Sequence, residues 1–252
     1  MKKIPEKVFD NIAHSYYAST PKLPEQFITL IKDTFHLKST DSIIDLGCGS
    51  GDLAIALSNY SSFVEGIDES KVMIEMAKEK YVQKKIKWIC KPIEDKVLNK
   101  EQYNLIISFE AFHLFQNTAE LTKKCMEALK QNGSLCIGWA TYQWEIPLQE
   151  IITRILNRYD IPWDYSWTCP DFPKEIHQLN LSTVQKKNVS IQASTPLTTI
   201  IDYLFSVNYT AKLDTKLKMI IAKELLEEFI KIYPSGKSIG RSTYRIMYTT
   251  LN

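Results

Sequence analysis

The chain has no apolar run of about 18 residues, the length a membrane-crossing helix needs, so no membrane partner is expected. Its first stretch, MKKIPEKVFDNIAHSYY, carries the positive start of an export signal but not the apolar middle. It has no CxxC pair. The five cysteines (Cys48, Cys90, Cys125, Cys136 and Cys169) are odd in number, and three of them lie in apolar or strand-like runs. They read as reduced, small hydrophobes rather than as disulfides or zinc ligands, so no metal is expected. A dominant charge sign is missing as well. The net charge is +2 and the lysines are scattered, which argues against nucleic acid as a partner. Repeats, linkers and low-complexity tracts are absent. These absences describe a cytoplasmic protein of one domain, and they leave its oligomeric state open between monomer and dimer.

What is present is an alternation of strands and helices. Strands are expected at 42–47, 63–70, 86–92, 103–112 and 134–140. Helices are expected at 25–37, 51–60, 71–85 and 119–133, the last closed by Asn132-Gly133. The strands are continuous apolar runs, the pattern of strands buried on both faces. Five alternations at βαβ spacing predict a mostly parallel α/β sheet with helices on both faces. Beyond residue 140 the rhythm breaks into an aromatic-rich stretch (142–178), a charged strand-like run (182–194), helices at 197–209 and 214–232, and a last strand at 242–252.

Residues 43–52, IIDLGCGSGD, place Gly47, Gly49 and Gly51 directly after a strand and before a helix. Glycine there lets a flat ligand reach the main chain. In open α/β sheets this loop lies where ligands bind. The spacing fails the dinucleotide fingerprint GxGxxG, because the position of its last glycine is Asp52. Asp45 at the strand's end is a poor neighbour for pyrophosphate and a good one for a cation. Asp68 ends the second strand, where an acid can accept both hydroxyls of a ribose. A flat base, a ribose and a cation in place of a phosphate point to S-adenosylmethionine.

These motifs resemble the class I S-adenosylmethionine-dependent methyltransferases. The likeness is to the small-molecule subgroup that includes trans-aconitate and ubiquinone/menaquinone-biosynthesis methyltransferases. DLGCGSG resembles the family's first motif residue by residue, Cys48 included. GIDES resembles the second-strand end, which implies Asp68 at the ribose, Glu69 among the cofactor-binding residues, and Ser70 to Met73 beside the adenine. CKPIED implies Ile93 and Glu94 at the adenine edge. LIISFEAFHLF implies that Ser108 lines the cofactor cleft and that His113 faces the substrate. The N-terminal segment implies that Tyr16 closes over the methionine part. Leu114 stands where the subgroup often has tryptophan, and Thr20 and Leu23 where it has Arg and Tyr.

The resemblance implies a Rossmann-like fold of seven mostly parallel strands in a single domain spanning 1–252. Residues 25–140 and 181–252 form the core, and 1–24 and 141–180 form a helical and aromatic lid. It also implies methyl transfer to a small, partly apolar or carboxylated acceptor, leaving S-adenosylhomocysteine, with a tRNA or protein acceptor and a catalytically silent cofactor-binding domain as the alternatives. No catalytic residue announces itself. His113 reads either as a general base or as a packed histidine. The aromatics after residue 140 read either as core or as the wall of a substrate pocket, with Tyr17, Tyr142 and Trp144 as candidates for the second role.

Overall fold

The computed structural model describes residues 22–80, 86–163, 184–206 and 210–251. Tyr16, Tyr17 and Cys169 lie outside them. The elements run α1 (Glu25–Phe35), β1 (Ser42–Leu46), α2 (Asp52–Leu57), β2 (Phe63–Asp68), α3 (Lys71–Lys80), β3 (Ile86–Cys90), β4 (Tyr103–Phe109), α4 (Thr118–Ala128), β5 (Leu129–Gln143), α5 (Ile146–Arg158), β6 (Gln185–Pro196), α6 (Leu197–Ser206), α7 (Thr215–Ile232) and β7 (Lys237–Thr250). Seven strands form one sheet in the order β3-β2-β1-β4-β5-β7-β6. The first five are parallel to their neighbours, and β7 runs antiparallel between β5 and β6.

The apolar runs are buried on both sides, as their composition requires. Ile43, Leu105, Cys136 and Ile246 face α1 and α2, while Ile44, Ile106, Leu135 and Met247 face α4. Alternate residues of one strand thus feed opposite layers. Helix α1 contributes Phe27 and Ile31, both fully buried. Each such side chain stabilises by about 1.5–3 kcal/mol. A third apolar cluster lies among α5, α6 and α7, with Leu148, Ile152, Leu156, Leu204, Leu225 and Phe229 at its centre.

Several boundaries differ from expectation. Helix α4 ends at Ala128, not at Asn132-Gly133. Those two residues lie within β5, in a bulge where the register against β4 jumps between Tyr103–Leu129 and Leu105–Ser134. The left-handed Asn132 (φ 63) and the cramped Gly133 make that irregularity, the usual service of such residues inside strands. Strand β5 runs on to Gln143, because β7 pairs with it as far as Arg241. Within the expected lid, residues 146–158 form the amphipathic helix α5, whose apolar side packs on α7.

Candidate active site

Strands β1 to β5 share a direction, so their carboxyl ends open on one side of the sheet. The glycine loop leaves β1 there. Gly47 and Cys48 both donate their N–H to the Ile67 carbonyl of β2, at 2.8 and 2.9 Å. Gly49 donates to Asp68 Oδ2 at 2.8 Å, and Ser70 donates to Oδ1 at 2.9 Å. Asp68 therefore braces the loop and the turn after β2 at once. The next helix is capped by Ser70, whose Oγ accepts the Met73 N–H. The capping duty that an acid after a strand so often performs falls here to the serine.

The three glycines are not equivalent. A Cβ on Gly47 would meet that of Ala111 at 2.4 Å, and one on Gly51 would meet the Trp88 ring at 2.4 Å. Gly49 would meet nothing within 4 Å among the described residues, although its φ of 52° still disfavours a side chain. Gly47 and Gly51 are thus fixed by packing, and Gly49 faces open space of the kind a ligand fills. Gly51→Ala should cost about 2–4 kcal/mol from overpacking and left-handed strain. Gly49→Ala should cost only about 1–2 kcal/mol from strain alone. Urea denaturation of both variants checks the difference; equal losses would remove the distinction.

Asp45 is buried on β1, and its Oδ2 has no hydrogen-bond partner among the described residues. Burial, and then the charge of Asp68, push its carboxyl up to about 8, while a backbone hydrogen bond from Ala54 works the other way. Cys48 is buried beside it, its thiol pushed up by burial and by the same two acids. An orphaned buried acceptor beside a second acid, at a loop position with free space, fits a ligand bearing a cation and hydroxyls. The residues present thus suit S-adenosylmethionine.

The other residues expected at the cofactor lie on the same rim. Glu69 is exposed, and Ser70 and Met73 are buried. Ile93 is buried, and Glu94 is half-buried with its Oε1 accepting the Gln116 N–H at 2.8 Å. Ser108 is fully buried and spends its hydroxyl on the Leu46 carbonyl at 2.9 Å, so it ties β4 to β1. His113 is exposed, in a short turn of 3-10 helix, Phe112–Leu114. Tyr142 and Trp144 are half-buried farther along the rim and line a cavity of about 140 Å³.

Two residues escaped the sequence reading. Trp88 lay inside a strand-like run with nothing to show that its ring closes over Gly51 and Gly66. Glu110 follows β4 in the left-handed region, with a φ of 58°. Its N–H donates to the Gly138 carbonyl, and its Oε1 accepts the Ala140 N–H at 2.5 Å. Burial pushes its carboxyl up to about 7 against that hydrogen bond. Tyr244 stands near enough to feel its charge and is hydrogen-bonded to Tyr142. The one advance signal was an acid inside an otherwise apolar run.

With this geometry in view, the comparisons are specific. Residues 43–133 match a family model described as a methyltransferase domain. A malonyl-[acyl-carrier protein] O-methyltransferase of Acetivibrio thermocellus is 24% identical, over 99% of this chain and 93% of its own. The enzyme of the same name from Priestia megaterium is 33% identical, over 56% of this chain and 54% of its own. An uncharacterized methyltransferase-like protein of Schizosaccharomyces pombe is 27% identical, over 66% of this chain and 65% of its own. Against the latter two, the chain spans only about half to two-thirds of the relative's length. Among solved structures, a provisionally assigned type II methyltransferase from Anaeromyxobacter dehalogenans superposes with a TM-score of 0.65 at 15% identity, covering 92% of this chain and 97% of that one. A phosphoethanolamine N-methyltransferase of Haemonchus contortus, in complex with S-adenosyl-L-methionine, gives 0.55 at 14% identity, over 97% of this chain and 60% of that one. Among the described residues no helix is long and apolar enough to cross a membrane. The resemblance read from the sequence therefore holds: residues 43–133 match a methyltransferase domain, and the chain has the class I methyltransferase fold.

Proposed function

We propose that the protein transfers a methyl group from S-adenosylmethionine to an oxygen of a small-molecule acceptor. The observation that carries this reading is the unpaired, buried Asp45 Oδ2 at the head of a glycine loop with free space at Gly49. The oxygen acceptor comes from the relatives, several of which are named O-methyltransferases. When bound, S-adenosylmethionine supplies an electrophilic methyl group on a sulfonium, which is a good leaving group.

The chain's own part is positioning. Asp45 holds the ligand's ammonium end, so its charge assists binding without opposing the loss of charge at sulfur. Asp68, at the end of β2, receives the ribose hydroxyls. Met73 and Ile93 give the adenine an apolar seat, and Glu94 lies at its edge. Alignment and the exclusion of water supply most of the acceleration in such a displacement. An acceptor hydroxyl must also lose its proton. His113 and Glu110 are the two groups for that duty, and the half-buried Glu110, titrating near neutrality, suits it better.

Calorimetry tests the reading directly. The wild-type protein should bind S-adenosylmethionine, and a folded Gly49→Val protein should not, because a branched side chain would occupy the space the ligand needs. Unchanged affinity in Gly49→Val would remove the site. With an acceptor in hand, Glu110→Gln should flatten the acidic limb of the pH-rate profile near 7. A limb that persists there and disappears in His113→Gln would assign the proton to the histidine.

A further inference from the structure

The cavity lined by Tyr142 and Trp144 opens at the carboxyl end of β5, beside the start of β7 and the end of β6, with α6 as its far wall. At Tyr142 it lies two strand spacings across the sheet from Asp45 and six residues farther along the strand direction, roughly 20 Å in all at the usual strand dimensions. Its walls are aromatic. Tyr203 meets Tyr142 edge-on at 5.7 Å and Trp144 at 6.2 Å. Tyr244 forms the inner wall and lies against Phe109, at the end of β4, with a centroid distance of 6.3 Å. The volume of about 140 Å³ is close to that of an engineered cavity known to take up benzene, roughly 150 Å³. The space therefore fits one six-membered ring.

The lining carries charge of one sign only. Lys22 and Arg241 are both exposed, and neither has an ion pair or side-chain hydrogen bond among the described residues. Among the described residues no carboxylate lines the cavity. The acid next to Trp144, Glu145, is occupied by Ser238 Oγ at 2.7 Å and the Ile239 N–H at 3.3 Å. Glu110 lies behind Tyr244 and is anchored to Ala140. Two cations beside a ring-sized apolar space with no internal counter-charge are complementary to a small aromatic or cyclic anion.

We propose that this cavity is the acceptor subsite and that it takes a single-ring carboxylic acid. The ring sits among Tyr142, Trp144, Tyr203 and Tyr244, and the carboxylate meets Arg241 and Lys22. The acceptor assignment rests on the methyltransferase reading above; the binding preference does not.

Three probes of one shape test it: hydrocinnamate, hydrocinnamyl alcohol and phenylpropylamine, titrated calorimetrically into the wild-type protein with and without S-adenosylhomocysteine. Hydrocinnamate should bind at least about tenfold more tightly than the alcohol, and the amine most weakly. Arg241→Met, an exposed change that spares the fold, should bring hydrocinnamate down to the alcohol's affinity and leave the alcohol unchanged. Lys22→Met should act in the same direction. Tyr203→Leu should weaken hydrocinnamate and the alcohol alike. No saturable binding of hydrocinnamate, or equal binding of acid and alcohol, overturns the proposal. Should S-adenosylhomocysteine bind while hydrocinnamate does not, the subsite falls and the methyltransferase reading stands. Should hydrocinnamate bind with the expected preference while neither S-adenosylmethionine nor S-adenosylhomocysteine binds, the ring-acid site stands and the methyltransferase reading falls.

Discussion

Asp45→Asn should make the ligand-free protein more stable at pH 9 while removing most of its affinity for S-adenosylmethionine. The argument begins with a carboxyl group that prefers its proton in the native state. Its folded pKa of about 8 lies well above its ordinary 3.8. Between those values the native state holds a proton that the unfolded chain has lost, so stability falls as pH rises through the window. Above pH 8 the full cost is present, because a buried, unpaired carboxylate faces Asp68. Moving from 3.8 to about 8 corresponds to roughly 6 kcal/mol. An asparagine removes that charge but leaves its own amide poorly paired, which costs about 1–3 kcal/mol. The net gain at pH 9 is therefore roughly 3–5 kcal/mol, or a rise in Tm of about 6–20 °C for a chain of this size. At pH 4 the two proteins should melt within a few degrees of each other.

The same substitution should weaken S-adenosylmethionine by roughly thirtyfold or more, the loss expected when a buried charge pair forfeits one partner. Binding to the wild-type protein at pH 7 should also release a proton. Calorimetry in two buffers of different ionisation enthalpy would detect it. A lower Tm for Asp45→Asn at pH 9, or unchanged affinity, would falsify the assignment of Asp45 to the ligand.

This trade between stability and binding was only half legible in the sequence. The position of Asp45 before the glycines could be read directly, since strand, acid and loop are consecutive. Its burial and the missing partner of Oδ2 could not, because they depend on Asp68 and on the packing of α2 against β1. The parallel strands were legible for a related reason: strands covered on both faces must be apolar throughout. The end of α4 was not. Asn-Gly is a common helix stop, but it serves equally as a strand bulge, and only the pairing with β4 and β7 decides between them. Glu110 was hidden by the apolar residues around it. A left-handed residue leaves no periodic mark, and the carboxyl's neighbours Ala140 and Tyr244 come from β5 and β7. Tyr142 and Trp144 could be named as aromatics after a strand. That they share a cavity with Tyr203, Lys22 and Arg241 follows from the antiparallel return of β7 and from α6, which no local pattern announced.

The least legible acid is Glu65, and its removal should produce the largest loss of stability. In the run FVEGID it interrupts an otherwise apolar strand, and no local pattern tells what it meets. Its side chain is in fact fully buried. Lys87 Nζ lies 2.6 Å from Oε1, Lys96 Nζ lies 3.2 Å from Oε2, and the Tyr103 hydroxyl donates to Oε2. Burial alone would raise the pKa of Glu65. The hydrogen bonds from Lys87 and Tyr103, with the charge of Lys96, outweigh it and hold the carboxyl below its ordinary range. The sign is opposite to that of Asp45: this group stabilises the fold above its unfolded pKa, and the contribution is lost as pH falls through the folded value. Glu65→Ala should cost about 3–5 kcal/mol at pH 7, because it leaves the largely buried Lys96 and the buried Tyr103 hydroxyl without their acceptor. Lys87 is mostly exposed and can return to water, so Lys87→Met should cost no more than about 1 kcal/mol. The cluster also reaches the site. Lys96 follows directly on the turn that carries Ile93 and Glu94, so the ion pair pins that turn to β2. Glu65→Ala should therefore weaken S-adenosylmethionine severalfold even where the variant remains folded. A triple replacement, Glu65→Leu with Lys96→Leu and Tyr103→Phe, removes every group that would otherwise be stranded. It should recover most of the lost stability in urea denaturation. Its affinity for S-adenosylmethionine should recover only in part, since apolar contact holds the turn less firmly than the ion pair. A triple variant as unstable as Glu65→Ala would show that the single change acts through packing, and that the charges in this cluster do not hold the turn.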